Sequence, residues 1–292
     1  MFSQLIKKTL TPRKKKGQNV ALVLSSGGAR GFAHIGIIEE LLKNNFNITS
    51  VAGTSMGSII AGVYAAGKLT EFTDWACSVS RLDLLKLVDF TFSTRGFIKG
   101  DRVLNEIRKI VGDVKIEELE IPYVAVATDI VHQQEVIFRE GCLFEAMRAS
   151  MAIPTIFTPS VLNGKELIDG GIMNPLPMDL IQRTNNDLLV VVNVNANLKE
   201  ESEMVNASFP SKKDGELLEN DKNKRKYGFF DLLTKSFDLT QDKLTEMIID
   251  KHKPDMLINV SRDICSTFDF HRGSDIIEAG REAFTKRVVF TD

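Results

Sequence analysis

The stretch VAGTSMGSII (residues 51–60) ends a short apolar run in Gly-Thr-Ser-Met-Gly and then opens a run rich in small residues. An apolar strand, an immediate turn and a helix within so few residues leave the chain little freedom. The two backbones must pass close together, and glycine on both flanks lets them do so. A nucleophile elbow requires this context, with Ser55 held proud of a sheet between Gly53 and Gly57. The pattern alone is weak, because a random chain of 292 residues carries G-x-S-x-G about one time in ten. Its setting, with Ile48–Ala52 reading as strand and Ser58–Ala66 as helix, raises it above a small-residue turn.

The rest of the chain repeats the strand–helix alternation. Val20–Leu24 reads as a buried strand, followed by the glycine-rich SSGGARG (25–31) and a helix to about Lys43. Helices are expected over Leu69–Val79, Asp101–Val111 and residues 142–150. Strands are expected at Tyr123–Thr128, Glu135–Phe138, Lys165–Ile168 and Leu188–Val194. A long amphipathic helix (Phe230–Ile249), a strand (Met256–Val260) and a last helix (Ser274–Thr285) follow. This alternation predicts an α/β domain with a mostly parallel sheet and helices on both faces. The glycine-punctuated DFTFSTRGFIKG (89–100) reads as a loop or lid. Residues 198–226 hold mixed, balanced charge and read as a flexible insertion.

Net charge is −2, with 43% hydrophobic and 26% charged residues, which gives no case for nucleic-acid binding. Three widely spaced cysteines read as reduced thiols of a cytoplasmic protein, neither a disulfide frame nor a metal site. No apolar run approaches the roughly 18 residues of a membrane span. The first 17 residues lack the apolar stretch of a secretory signal, yet carry Lys7, Lys8, Arg13, Lys14, Lys15 and Lys16 without an acid. With Phe2, Leu5, Ile6 and Leu10 at helical spacing, this is either a frayed tail or a peripheral anchor on anionic membrane. The sequence leaves oligomeric state open.

A serine hydroxyl needs a base before it attacks, and histidine is the usual one. His252 ends a helix, His271 precedes one, His132 lies in a polar turn, and His34 sits in the first helix, where local packing is its simplest role. A carboxylate is the alternative. KELIDGG ends an apolar strand in Asp169, and Gly170 and Gly171 turn the chain at the sheet rim, where sites form in open α/β sheets. Read alone, Asp-Gly-Gly is equally a hairpin turn. SSGGARG offers backbone amides for an anion at Gly27, Gly28, Ala29, Arg30 and Gly31. A dinucleotide fingerprint would need glycine where Ser26 stands and an acid after the second strand, and no Gly-Lys-Ser/Thr follows. An oxyanion is the remaining use. Arg30 is read either as a headgroup contact or as a tie for the loop.

Together SSGGARG, GTSMG and DGG, in that order, resemble the bacterial branch of the patatin-like phospholipase family. GFAHIG, ASMAIPTIFTP (149–159), NPLP (174–177) and IIEAGREAF (276–284) extend the likeness over about residues 18–290. The resemblance implies a three-layer α/β sandwich distinct from the α/β-hydrolase fold, and a Ser–Asp dyad without histidine, metal or cofactor. Ser55 is then the nucleophile and Asp169 its proton acceptor, with the oxyanion held by amides around Gly28, Ala29 and Arg30. The expected substrate is a phospholipid, lysophospholipid or simple lipid ester. The departure from the family is Ser26, where the loop has its first glycine. An acyltransferase using the same serine and a non-catalytic membrane-associated regulator are the competing classes.

Overall fold

The alternation expected from the sequence is present in the computed structural model, which describes residues 17–83, 90–93, 96–98, 101–154, 156–198 and 228–287. The basic tail, most of the charged insertion and parts of the 84–100 segment lie outside the described residues. The strands are β1 (Gln18–Leu24), β2 (Phe46–Thr54), β3 (Phe90–Ser93), β4 (Gly96–Ile98), β5 (Tyr123–Asp129), β6 (Gln134–Phe138), β7 (Ser160–Leu162), β8 (Lys165–Asp169), β9 (Leu188–Ala196) and β10 (Met256–Ser261). The helices are α1 (Ala33–Lys43), α2 (Met56–Ala65), α3 (Leu69–Ser78), α4 (Asp101–Val111), α5 (Leu143–Ser150), α6 (Phe229–His252) and α7 (Gly273–Arg287). Where the sequence suggests a loop at 89–100, β3 and β4 form a two-stranded antiparallel hairpin. Its Phe and Thr residues suit a pleated ribbon, and that preference outweighs the glycines that suggest a loop.

The main sheet runs β10-β9-β1-β2-β5-β8-β7, with β6 also paired to β5. β10, β9, β1, β2 and β5 are mutually parallel, whereas β6, β7 and β8 are antiparallel additions at one side. Alternate side chains of the central strands go to opposite faces. Val20, Leu22 and Leu24 of β1, with Val190, Val192 and Val194 of β9, meet the large core formed with α1, α2, α3 and α7. Val23, Leu189 and Val191 face the other way, onto Leu176, Met178 and the Ile248–Ile249 turn of α6. Helices therefore cover both faces of a nearly all-apolar central sheet, as parallel strands require.

The register at β5 matters most for the site. β2 pairs Val51–Thr54 with Tyr123–Val126, and β8 pairs Leu167–Asp169 with Asp129–Ala127. β6 takes the opposite edge of β5 over residues 125–129. β2 and β8 thus share one edge of β5 and run toward each other. Thr54 pairs with Val126, and Asp169 with the next residue, Ala127.

The last helix joins the same core as the first strand, since Ile276, Ile277 and Phe284 of α7 are buried in the cluster that holds Leu22 and Ile37. Truncating Phe284, 1% exposed, to alanine is expected to lower unfolding free energy by about 3–5 kcal/mol. Denaturant unfolding should keep one cooperative transition, because the residue belongs to a shared core.

Candidate active site

Ser55 is where β2 ends and α2 begins. Its backbone has φ 55° and ψ −124°, a left-handed conformation unusual for a residue with a side chain. The turn is held by Ser58 N–H and the Ser58 hydroxyl donating to the Ser55 carbonyl at 2.9 and 2.7 Å. The Ser55 N–H donates to Ser150 Oγ on α5 at 2.9 Å. Glycine is needed on the flanks because backbones touch here. A Cβ on Gly57 would lie 2.3 Å from the Leu24 carbonyl oxygen, and one on Gly53 would lie 2.3 Å from Gly57 itself.

Asp169 arrives from the opposite direction on β8. Its backbone is pinned by its own N–H donating to the Ala152 carbonyl and by Thr128 Oγ1 donating to its carbonyl. The carboxylate accepts from Gly171 N–H at 2.7 Å through Oδ1. Gly170 passes flat against the Val126 carbonyl, leaving no room for a side chain. The Ser55 hydroxyl reaches the carboxyl and favours its ionised form. That contact falls short of a well-formed hydrogen bond, since Oδ2 is buried and without a partner. Asp169 is 1% exposed. Burial pushes its pKa up to about 7 against the pull of Ser55 and Gly171.

The glycine-rich loop leaves β1 beside the elbow. Ser25 and Ser26 donate their N–H groups to the Val192 and Pro175 carbonyls, and Gly28 turns with φ 55°. Ala29 N–H donates to the Thr267 carbonyl at 2.9 Å. That bond withdraws Ala29 from the oxyanion donors suggested by sequence. The Gly27 and Gly28 N–H groups have no partner among the described residues. Arg30 and Gly31 lie within a short 3₁₀ turn running into α1, and Gly31 packs on Met56. Arg30 Nε donates to Asn195 Oδ1 at 3.0 Å, and Asn195 Nδ2 donates to the Ser26 carbonyl at 2.8 Å. Arg30 therefore ties the loop, while also lining the cavity. Ser26, the departure from the family loop, donates its hydroxyl to Gln241 Oε1 of α6 at 2.9 Å.

These pieces line one cavity of about 220 Å³, bounded by Ser55, Asp169, the Ser26–Gly28 loop, Arg30 and the buried Gln241, with the more exposed Leu233 and Phe237 of α6 at its mouth. Ile153, Ile156, Gly28, Thr267 and Phe268 are shared with a second, apolar cavity of about 300 Å³. Phe32, Phe72, Trp75, Val103 and Ile107 wall that deeper space. No histidine lines the first cavity among the described residues. His132 pairs with Asp129, His271 accepts from Arg81, and His252 ends α6. His34 is fully buried, its pKa pushed down to about 4 by burial, and bonds the Ser25 carbonyl at 2.9 Å. It is a neutral strut under the loop. Among the described residues no group of His, Cys, Asp and Glu could hold a metal ion, and no helix is long and apolar enough to cross a membrane.

Sequence reading passed over Asn195, Gln241, Ser150 and Thr267. Asn193 and Asn195 did leave a signal, because alternate polar residues at the carboxyl end of an otherwise apolar strand mark a rim that faces a site. The others depend on contacts between distant parts of the chain.

The sequence profile of patatin-like phospholipases matches residues 22–181. The chain belongs to the patatin-like phospholipase family. An uncharacterised NTE family protein of Mycobacterium bovis is 33% identical, over 95% of this chain and 93% of that protein. Lysophospholipase NTE1 of Yarrowia lipolytica is 33% identical over 61% of this chain and 13% of its own length. Patatin-like phospholipase domain-containing protein 6 of Homo sapiens is 32% identical over 61% and 13%. The solved structure of VipD from Legionella pneumophila aligns over 94% of this chain and 67% of its own, with 13% identity and a TM-score of 0.42. Membership of the patatin-like family supports lipid hydrolase activity for this chain.

The raised pKa of Asp169 has a consequence for stability. The carboxyl ionises near 7 in the fold but near 3.9 in the unfolded chain. Folding therefore retains a proton between those values, and the associated stability falls as pH rises from about 4 through about 7. Asp169→Asn is expected to melt a few degrees above wild type at pH 8, with the gap closing near pH 4, as thermal unfolding at both pH values would measure.

Proposed function

We propose that this patatin-like protein is a serine lipid acyl hydrolase working through Ser55 and Asp169 without a histidine. The observation that carries the reading is the convergence of β2 and β8 on one edge of β5. It brings a strained serine against a buried carboxyl whose Oδ2 has no other partner. Ser55 Oγ attacks the ester carbonyl carbon as its proton passes to Asp169 Oδ2. The Gly27 and Gly28 N–H groups receive the oxyanion, an interaction worth about 3–4 kcal/mol of barrier per donor in such sites. The tetrahedral centre collapses, the ester C–O bond breaks, and Asp169 returns the proton to the leaving alcohol. Water, deprotonated by the same carboxylate, then attacks the acyl-serine and releases the fatty acid and the free Ser55.

Burial of Asp169 suits this role. A carboxylate at its ordinary pKa is a weak base at neutral pH, whereas one ionising near 7 accepts a proton with less penalty and is still half ionised there. The apolar cavity beyond Ile153 and Ile156 suits the acyl chain, with the ester at the junction of the two spaces.

Acyl release from p-nitrophenyl esters of rising chain length tests the reading. Ser55→Ala and Asp169→Asn are each expected to lose at least about 10³-fold in kcat/KM. In wild type, kcat/KM should rise with pH through an apparent pKa near 7, because only ionised Asp169 is a base. An Asp169→Asn variant of full activity would mean the base lies elsewhere. Val103→Trp, which fills the deeper cavity, should depress hydrolysis of long-chain esters while sparing butyrate esters.

A further inference from the structure

The first three turns of α6 carry opposite chemistry on their two sides. Toward the protein, Phe237 and Gln241 line the cavity, while Asp238 and Asp242 sit in the fields of Arg30 and Arg262, with Lys235 also acting on Asp238. Arg262 Nη1 donates to Asp242 at 2.6 Å. Away from it, Leu232 is 51% exposed and Leu239 70%, with Lys235 and Lys243 also on the outside. Phe268, 45% exposed, and Leu233 extend the apolar rim to the cavity mouth. Among the described side chains from 232 to 243, both acids are half-buried and both lysines are exposed. Among the described side chains, the exposed acids of α6 are Glu246, which pairs with Lys243, and Asp250.

Two large leucines stand in water near the Ser55 cavity, interleaved with lysines on one face of the helix, and apolar exposure grouped in this way marks an interaction surface. Leucine beside lysine on a stretch whose described acids, Asp238 and Asp242, are half-buried matches the chemistry of an anionic bilayer interface. We propose that the outer side of α6 from Leu232 to Lys243, with Phe268, is a docking surface for an anionic lipid bilayer. Seated there, the molecule presents the mouth of the Ser55 cavity to the membrane, so a lipid enters it without crossing water. The idea that this cavity takes lipid rests on the function proposed above, but docking itself is measured without turnover.

Co-sedimentation of the full chain with vesicles of phosphatidylcholine, with and without about a third phosphatidylglycerol, is the test. A Ser55→Ala background keeps the lipid intact. The Ser55→Ala chain should bind the anionic vesicles more tightly. Adding Leu232→Asp and Leu239→Asp should weaken that binding about 10-fold or more, and Lys235→Gln or Lys243→Gln about fivefold each. With Ser55 present, the leucine pair should hydrolyse a soluble butyrate ester at the wild-type rate, since neither residue lines the cavity.

Four outcomes overturn the proposal. Vesicle binding untouched by the leucine pair but abolished by neutralising Lys14–Lys16 would assign docking to the tail. A fall in melting temperature of several degrees on Leu239→Asp would show that the chain itself covers this face. Concentration-dependent dimerisation of the lipid-free chain, lost on Leu239→Asp, would assign the face to a second copy. Equal binding to neutral and anionic vesicles would remove the lysines' role.

Discussion

One edge of one strand governs the site. β5 offers its edge to β2 as far as Val126 and to β8 from Ala127 onward, so two strands running in opposite directions end at the same point. Neither can continue. β2 escapes upward through the Ser55 elbow, and β8 turns away through Gly170 and Gly171, leaving the Asp169 side chain in the gap. The backbone contacts at Gly57 against Leu24 and at Gly170 against Val126 seal the junction. The serine–carboxyl geometry is therefore a property of sheet register, with little left to side-chain rotamers. A shift of one residue in either pairing would turn Asp169 or Thr54 to the opposite face of the sheet.

The same packing sets the electrostatics. An aspartate on a rim open to water would keep its ordinary acidity and remain a feeble base. Here the last residues of β8 are covered by the 152–154 backbone and by α6, and the charged form loses most of its solvation. One backbone N–H, from Gly171, restores part of it at Oδ1. Had the loop after β8 supplied two or three such donors, the pKa would have fallen back and the basicity with it. The single donor leaves Oδ2 buried without a partner, the atom that takes the Ser55 proton in the function proposed above. Stability given up in burying the carboxyl would, under the proposed function, be the counterpart of its basicity.

Much of this was legible in the residues. Every strand of the parallel core has the short apolar run that burial on both faces demands, and the elbow, the glycine loop and Asp-Gly-Gly each end or follow such a run. The direction of β8 was not legible. A short strand such as KELID, apolar only at Leu167 and Ile168, pairs either way, and only the closure around Pro154 and Pro159, with the short β7, reverses the chain before it. The commitment of the Ala29 amide to Thr267 was equally hidden, because its partner lies 238 residues along the chain. Sequence identifies the types of group that a site needs. Which of five neighbouring amides stays unpaired is decided by tertiary contacts.

Ser26 shows how such a contact can turn a departure from a motif into a structural tie. A glycine there would carry no hydroxyl, and the loop would lose its tie to α6 while keeping those through Asn195, His34, Ser25 Oγ and backbone bonds. With serine, the loop also donates to Gln241, one turn from Phe237 at the cavity mouth. Arg30 adds a second link, held by Asn195 and lying in the field of Asp238 and Asp242. The amides at Gly27 and Gly28 are thus braced from two sides, by β9 through Asn195 and by α6 through Gln241. Under the proposed function these amides would be oxyanion donors, and such donors work because they are already oriented when charge develops. Bracing from a strand and a helix supplies that orientation in a loop whose glycines, by themselves, would favour many conformations.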